Sequence, residues 1–157
     1  MIQLTDKTLY QVTEKVNIED DKAILELMSK ANAVKNWLIG KHNALAVSFN
    51  QLGFTERCFV IKDGSKWGLP DTIINPHYSP AKSHKVIESE EACLSFPGQK
   101  FKIQRFNKIR MVFWDFKEGK HKKLFMSHLA GIICQHEICH LNGKPDDVLV
   151  KEKWKLS

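Results

Sequence analysis

Proline and glycine are scarce, 5 and 8 of 157 residues, which excludes a collagen-like or low-complexity chain. No run of 18 apolar residues occurs, so no membrane-spanning helix is expected. Met1 to Lys15 carries acids and polar groups throughout and lacks the apolar stretch of a secretory signal, so the cytoplasm is the expected setting. Disulfides are rare there. Cys58, Cys93, Cys134 and Cys139 therefore read either as small buried hydrophobes or as metal ligands or nucleophiles. Charge of one sign never runs to five in a row. The 24 Lys+Arg against 18 Asp+Glu leave +6, spread along the chain from Lys100 through Lys155. That spread reads as a solvated surface, with weak attraction to RNA or a ribosome surface as the alternative. The aromatics do not interleave with the cations in sequence as a stacking platform would, and no sequence-specific nucleic-acid recognition is expected.

What is present is a chain that is 43% hydrophobic and long enough for a single domain over 1–157. Ile24, Leu27, Met28, Ala31, Val34 and Leu38 fall on one helical stripe that opens after Asp20–Asp21 and stops at Gly40. From Ala44 to Ile61 two strands are expected around a turn at Leu52–Gly53. A short strand should run from Trp67 to Ile74, ended by Asn75–Pro76. Lys85 to Leu94 looks extended. Lys108 to Phe116 alternates as a strand, with a turn at Asp115–Lys120 and a return strand over Lys122–Phe125. Ser127 reads as the N-cap of a late helix, stopped at Asn142–Gly143. The class expected is α+β, with antiparallel or mixed sheets packed around that helix.

The late helix carries His136-Glu137-Ile138-Cys139-His140, an HExxH pattern. Two imidazoles at i and i+4 share a face and can converge on one cation, with the glutamate beside them as general base. Leu129, Ile132 and Ile133 continue the same face, so the helix buries three ionisable groups below an aliphatic stretch. That is unfavourable by several kcal/mol unless they are paired or bound to metal. Chance placement of the pattern in this composition is about 0.02, low but not negligible. A third ligand would complete a hydrolytic site with one open position. Glu90-Glu91-Ala92-Cys93-Leu94-Ser95 offers a candidate, although Cys93 taken alone reads as a buried thiol. Gln51, where a strand meets a turn, reads as a turn-capping amide or as a donor aimed at an oxyanion.

Taken in order, these segments resemble the peptide deformylases, whose three motifs are GxGLAAxQ, EGCLS and QHExDH. Here they stand as Ala44-Leu45-Ala46-Val47-Ser48-Phe49-Asn50-Gln51, Glu91-Ala92-Cys93-Leu94-Ser95 and Gln135-His136-Glu137-Ile138-Cys139-His140. Ala replaces glycine at 44, 46 and 92, and Cys139 replaces the family's aspartate. The Ile74-Asn75-Pro76 step, Arg105 and the Asp6-to-Val16 opening also fit, so the resemblance spans most of the chain.

The resemblance implies an enzyme that removes the N-formyl group from the initiator methionine of nascent peptides and releases formate. It implies Cys93, His136 and His140 as ligands of one Fe²⁺ per chain, for which Zn²⁺, Ni²⁺ or Co²⁺ can substitute. Glu137 would move the proton, while the Gln51 side-chain amide and the Leu94 N–H would stabilise the oxyanion. Glu91, Arg105 and Cys139 would support the ligands from behind, and Cys139 could also act as a rival soft ligand. Leu45, Ala46, Ala92, Leu129, Ile132 and Ile133 would contact substrate, although an apolar stripe is equally a core signal. The partners implied are an N-formylmethionyl nascent peptide and a ribosome surface, with no membrane, and a monomer is expected. The short C-terminus resembles the truncated forms of the family. Two alternatives remain: an impaired homologue that binds formylated peptides or ribosomes, and a zincin-type endopeptidase.

Overall fold

The computed structural model describes residues 1–145; the cations Lys151 to Lys155 and the short C-terminus lie outside them. Helix α1, Asp21–Ile39, opens where the acids indicate: the Asp20 carboxylate accepts from the Ala23 N–H. Strands β1 (Ala46–Ser48), β2 (Cys58–Ile61), β3 (Thr72–Pro80), β4 (Val86–Glu91), β5 (Phe101–Phe106), β6 (Lys108–Asp115) and β7 (Lys120–Ser127) follow, then helix α2, His128–Leu141. β1, β2, β3, β6 and β7 form one antiparallel sheet in that order, and β4 and β5 pair as a separate hairpin.

The five-stranded sheet separates two cores. On one face Ile24, Leu27, Ala31, Val34 and Leu38 of α1 pack on Val47, Cys58, Val60 and Ile74. On the other, Ala130, Cys134, Ile138 and Leu141 of α2 pack on Phe59, Ile61, Ile73, Ile109, Met111 and Phe113. The sheet residues thus alternate between helices, as the pleat requires. Burying each such aliphatic side chain is worth roughly 1.5–3 kcal/mol, so the two stripes fix both helices against the sheet.

Several of these expectations change. The first strand stops at Ser48 and turns into a 3₁₀ segment, Phe49–Leu52. Asn75–Pro76 does not end β3. Asn75 adopts a left-handed φ of 52°, and its amide both accepts from the Val16 N–H (2.8 Å) and donates to the Val16 carbonyl (2.9 Å). The chain therefore bulges, and the β3–β6 register shifts between Ile74 and His77 instead of breaking. β5 was not anticipated. The extended run after Lys85 ends at Glu91, so Ala92 and Cys93 lie in the loop beyond it and Leu94 opens a turn. Ser127 does occupy the α2 N-cap position, but its hydroxyl makes no capping bond.

The far end of α2 is held by the N-terminal segment. The Thr13 N–H and hydroxyl both donate to the Leu141 carbonyl, at 3.0 and 2.7 Å. Gly143, at φ 69°, lets the chain pass that segment, since a Cβ would sit 2.8 Å from backbone atoms of Tyr10 and Gln11. Near its middle, Gln135 spans to β5, accepting from the Phe106 N–H and donating to its carbonyl. These anchors fix the rotation of α2 and hence where His136 and His140 point.

Candidate metal centre

α2 brings the Nε2 atoms of His136 and His140 to 3.3 Å from each other. The turn after β4 brings Cys93 Sγ to 3.2 Å from His140 Nε2, across 47 residues of sequence. The three ligand atoms lie within 4.8 Å of one another and all three residues are buried. Two nitrogens held by ~2.0–2.1 Å bonds at a tetrahedral angle would be about 3.3 Å apart, and a thiolate and a nitrogen about 3.5 Å, so the donors present fit one ion. Two imidazole nitrogens this close must share a proton or a cation. The buried His140 Nδ1 has no hydrogen-bond partner among the described residues. Cys139 is not part of this group. Its sulfur lies 3.6 Å from Arg105 Nη1, so the expected rival ligand instead faces a guanidinium.

Behind the ligands runs a buried relay. Arg105 donates to both carboxylate oxygens of Glu91 from Nε and Nη2, each at 2.9 Å. Glu91 Oε1 in turn receives the His136 Nδ1–H at 2.8 Å. That bond leaves His136 Nε2 free for an ion. Burial pushes the Glu91 carboxyl up, but the hydrogen bonds from His136 and Arg105 outweigh it and bring it to about 2. A carboxylate held below its ordinary 4.5 adds stability that is complete above that value and lost as pH falls from there toward 2. Arg105→Leu should strand the buried Glu91 charge and destabilise the protein by about 3–5 kcal/mol, read by urea unfolding at pH 7.

The two ring systems titrate apart. For His136, burial is outweighed by hydrogen bonds to Cys93 and Glu91, which raise it to about 10. Burial, and then the charge of His136, press His140 well below its usual value. The metal-free site therefore carries a proton on His136 at neutral pH that an ion must displace. Apparent zinc affinity should rise at least about tenfold per pH unit from 6 to 8, measured by competition with a chelator of known pH dependence.

Glu137 and Gln51 face the other side of the ligands. Burial pushes the Glu137 carboxyl up, opposed by the His136 charge and the Ser48 hydrogen bond. Ser48 Oγ lies 2.6 Å from Glu137 Oε2 and 2.9 Å from its carbonyl. The Gln51 amide oxygen accepts from the Ser48 N–H at 2.9 Å. Its NH₂ is thereby aimed at Ser95 Oγ (2.9 Å) and Cys93 Sγ (3.7 Å). A cavity of about 640 Å³ opens here, lined by Leu45, Ala46, Gln51, Glu91, Ala92, Cys93, Leu94, Leu129, Ile132, Ile133, His136 and Glu137. All six residues expected at the substrate are on its wall, with Leu129 51% exposed at its mouth. Ala44, Ala46 and Ala92 have no positive φ, so their methyl groups add no backbone strain.

Ser48 and Ser95 were not singled out from the sequence. The signal available was a lone hydroxyl inside the apolar run Leu45–Phe49, since a buried polar group needs a partner. Ser48→Ala should lower kcat about tenfold with KM within about twofold, because the hydroxyl touches Glu137 and not the cavity. Steady-state kinetics checks the split.

A carboxylate placed beside a thiolate–diimidazole ion site, at the end of an open cavity, is the apparatus of a mononuclear metallohydrolase. Comparison with known proteins narrows the class. The chain belongs to the polypeptide deformylase family, whose model matches residues 1–150. It is 31% identical over 102 residues to peptide deformylase 3 of Shewanella oneidensis, an alignment spanning 65% of this chain and 61% of that protein. It is 27% identical over 143 residues to the peptide deformylase of Aquifex aeolicus, spanning 88% of this chain and 79% of that one. The crystal structure of a probable peptide deformylase from Synechococcus phage S-SSM7 superposes with a TM-score of 0.72 at 26% identity, covering 99% of this chain and 100% of the phage protein. Among the described residues no helix is long and apolar enough to cross a membrane.

Proposed function

We propose that this chain removes the N-formyl group from the initiator methionine of nascent polypeptides, yielding formate and a free amine. The observation that carries the reading is the convergence of Cys93, His136 and His140, with Cys93, His136 and Glu137 on the wall of the cavity. Cys93, His136 and His140 would hold one Fe²⁺, with Zn²⁺, Ni²⁺ or Co²⁺ as substitutes, a choice consistent with a borderline set of one sulfur and two nitrogens. When bound, the ion supplies Lewis acidity toward the formyl carbonyl and the attacking water.

The chain's own groups do the rest. Glu137 takes a proton from the attacking water and returns it to the departing amine; burial makes its carboxyl a better proton acceptor than an exposed one. The Gln51 amide, fixed through its oxygen by the Ser48 N–H, and the Leu94 N–H stabilise the oxyanion that develops on the formyl group. Leu129, Ile132 and Ile133 receive the methionine side chain, while Leu45, Ala46 and Ala92 pass along the peptide backbone. Glu91, Arg105 and Cys139 hold the His136 ring in place. We place the protein in the cytoplasm as a single-domain monomer that meets its substrate at a ribosome surface.

Formate release from formyl-Met-Ala-Ser by the zinc- or iron-loaded protein tests the proposal. Formate at many turnovers per protein supports it. Tight peptide binding without formate would favour the impaired homologue, and cleavage of an N-acetylated, unformylated peptide would favour an endopeptidase.

A further inference from the structure

Strands β3, β6 and β7 contain one acid, Asp115, and it points inward to Lys122 at 3.2 Å. Ile109, Met111 and Phe113 of β6 face the α2 core, so Lys108, Arg110, Val112 and Trp114 face the opposite side. The register completes that side: Phe125 stands opposite Arg110, Lys123 opposite Val112 and His121 opposite Trp114, while His77 and Ser79 of β3 flank Val112 and Arg110.

His77, Arg110, His121 and Lys123 are exposed, and Phe125 is 62% exposed with Lys108 Nζ 5.3 Å from its ring centroid. Among the described residues, Lys15, Lys108, Arg110 and Lys123 make no ion pair with an acid. Burial and then the charges of Lys15, Arg57, Arg110 and His121 lower the His77 pKa.

Cations gathered without counter-charges repel one another, and a polyanion relieves that repulsion. The exposed ring of Phe125 among them adds a face on which an unpaired base can stack, a face that a duplex keeps covered and a phospholipid headgroup lacks. Ser79 and His77 beside Arg110 supply neutral hydrogen-bonding groups of the kind a ribose 2′-hydroxyl takes. We propose that the β3–β6–β7 face opposite α2 binds single-stranded RNA, with Lys108, Arg110 and Lys123 on phosphates and Phe125 under a base. The surface lies across the sheet from the metal cluster, so it can be altered without touching that site.

The test is fluorescence anisotropy of the intact zinc-loaded protein with a fluorescein-labelled 20-nucleotide uridine-rich RNA. Binding should weaken linearly in log–log salt plots with a slope near −2 for about three phosphates. Arg110→Glu/Lys123→Glu should weaken binding at least tenfold and flatten the slope. Phe125→Ala should weaken it about fivefold or more with the slope unchanged. Both variants should release formate from formyl-Met-Ala-Ser at the parent rate, and the anisotropy result stands whatever that substrate proves to be. Absence of binding would overturn the proposal. So would binding indifferent to the charge reversal, or equal binding of a 20-bp RNA duplex, of single-stranded DNA of matching sequence, or of phosphatidylglycerol vesicles.

Discussion

Glu137→Gln should retain its metal ion and lose turnover by about 10²–10⁴-fold, the contribution of a positioned general acid–base. Glutamine has nearly the same shape, and its amide oxygen can still accept from Ser48 Oγ, which now lies 2.6 Å from Glu137 Oε2. The variant removes a group that burial already penalises in its charged form, so the fold should be as stable as the parent or more so. Only proton transfer is lost. Metal content by mass spectrometry, thermal unfolding and kcat on formyl-Met-Ala-Ser together separate the cases. Unchanged kcat with a full complement of metal would place the base elsewhere.

Cys93→Ser should lose its ion. Removing a group that merely orients a ligand typically costs 10–100-fold in affinity, and replacing a direct thiolate donor with a hydroxyl should exceed that range. The replacement is small and the site is 8% exposed, so the fold itself should tolerate it. A zinc titration should show at least about 10²-fold weaker binding, with formate release falling in parallel at limiting metal. Unchanged stoichiometry and rate would remove Cys93 from the site.

The parts of the structure written as local periodicity were legible. The α1 stripe from Ile24 to Leu38 and the i, i+4 pair His136–His140 are geometry that any helix imposes. The role of Cys93 was not local. Nothing near it in sequence separates a ligand from a buried thiol, and its partner His140 is 47 residues away, so only the family motif pointed to it. β5 was hidden because Arg105 occupies the inward position that follows Ile103 along the strand, breaking the apolar alternation. Its charge is affordable there only because Glu91 meets it, and a pair of that kind cannot be read from one strand. Asn75–Pro76 has the composition of a stop; the two hydrogen bonds to Val16 turn it into a bulge. The gathering of cations on one face was illegible for the same reason as the role of Cys93. Arg110 and Phe125 are far apart in the chain and become neighbours only when the β6–β7 hairpin closes.

X-ray absorption at the zinc edge of the zinc-loaded protein reads the ligand set itself. One sulfur at about 2.3 Å and two imidazole nitrogens at about 2.0–2.1 Å, with the sulfur kept in Cys139→Ser and gone in Cys93→Ser, is the result expected. A zinc shell of nitrogen and oxygen alone in the parent protein, or a sulfur signal that disappears with Cys139 and survives loss of Cys93, would contradict it.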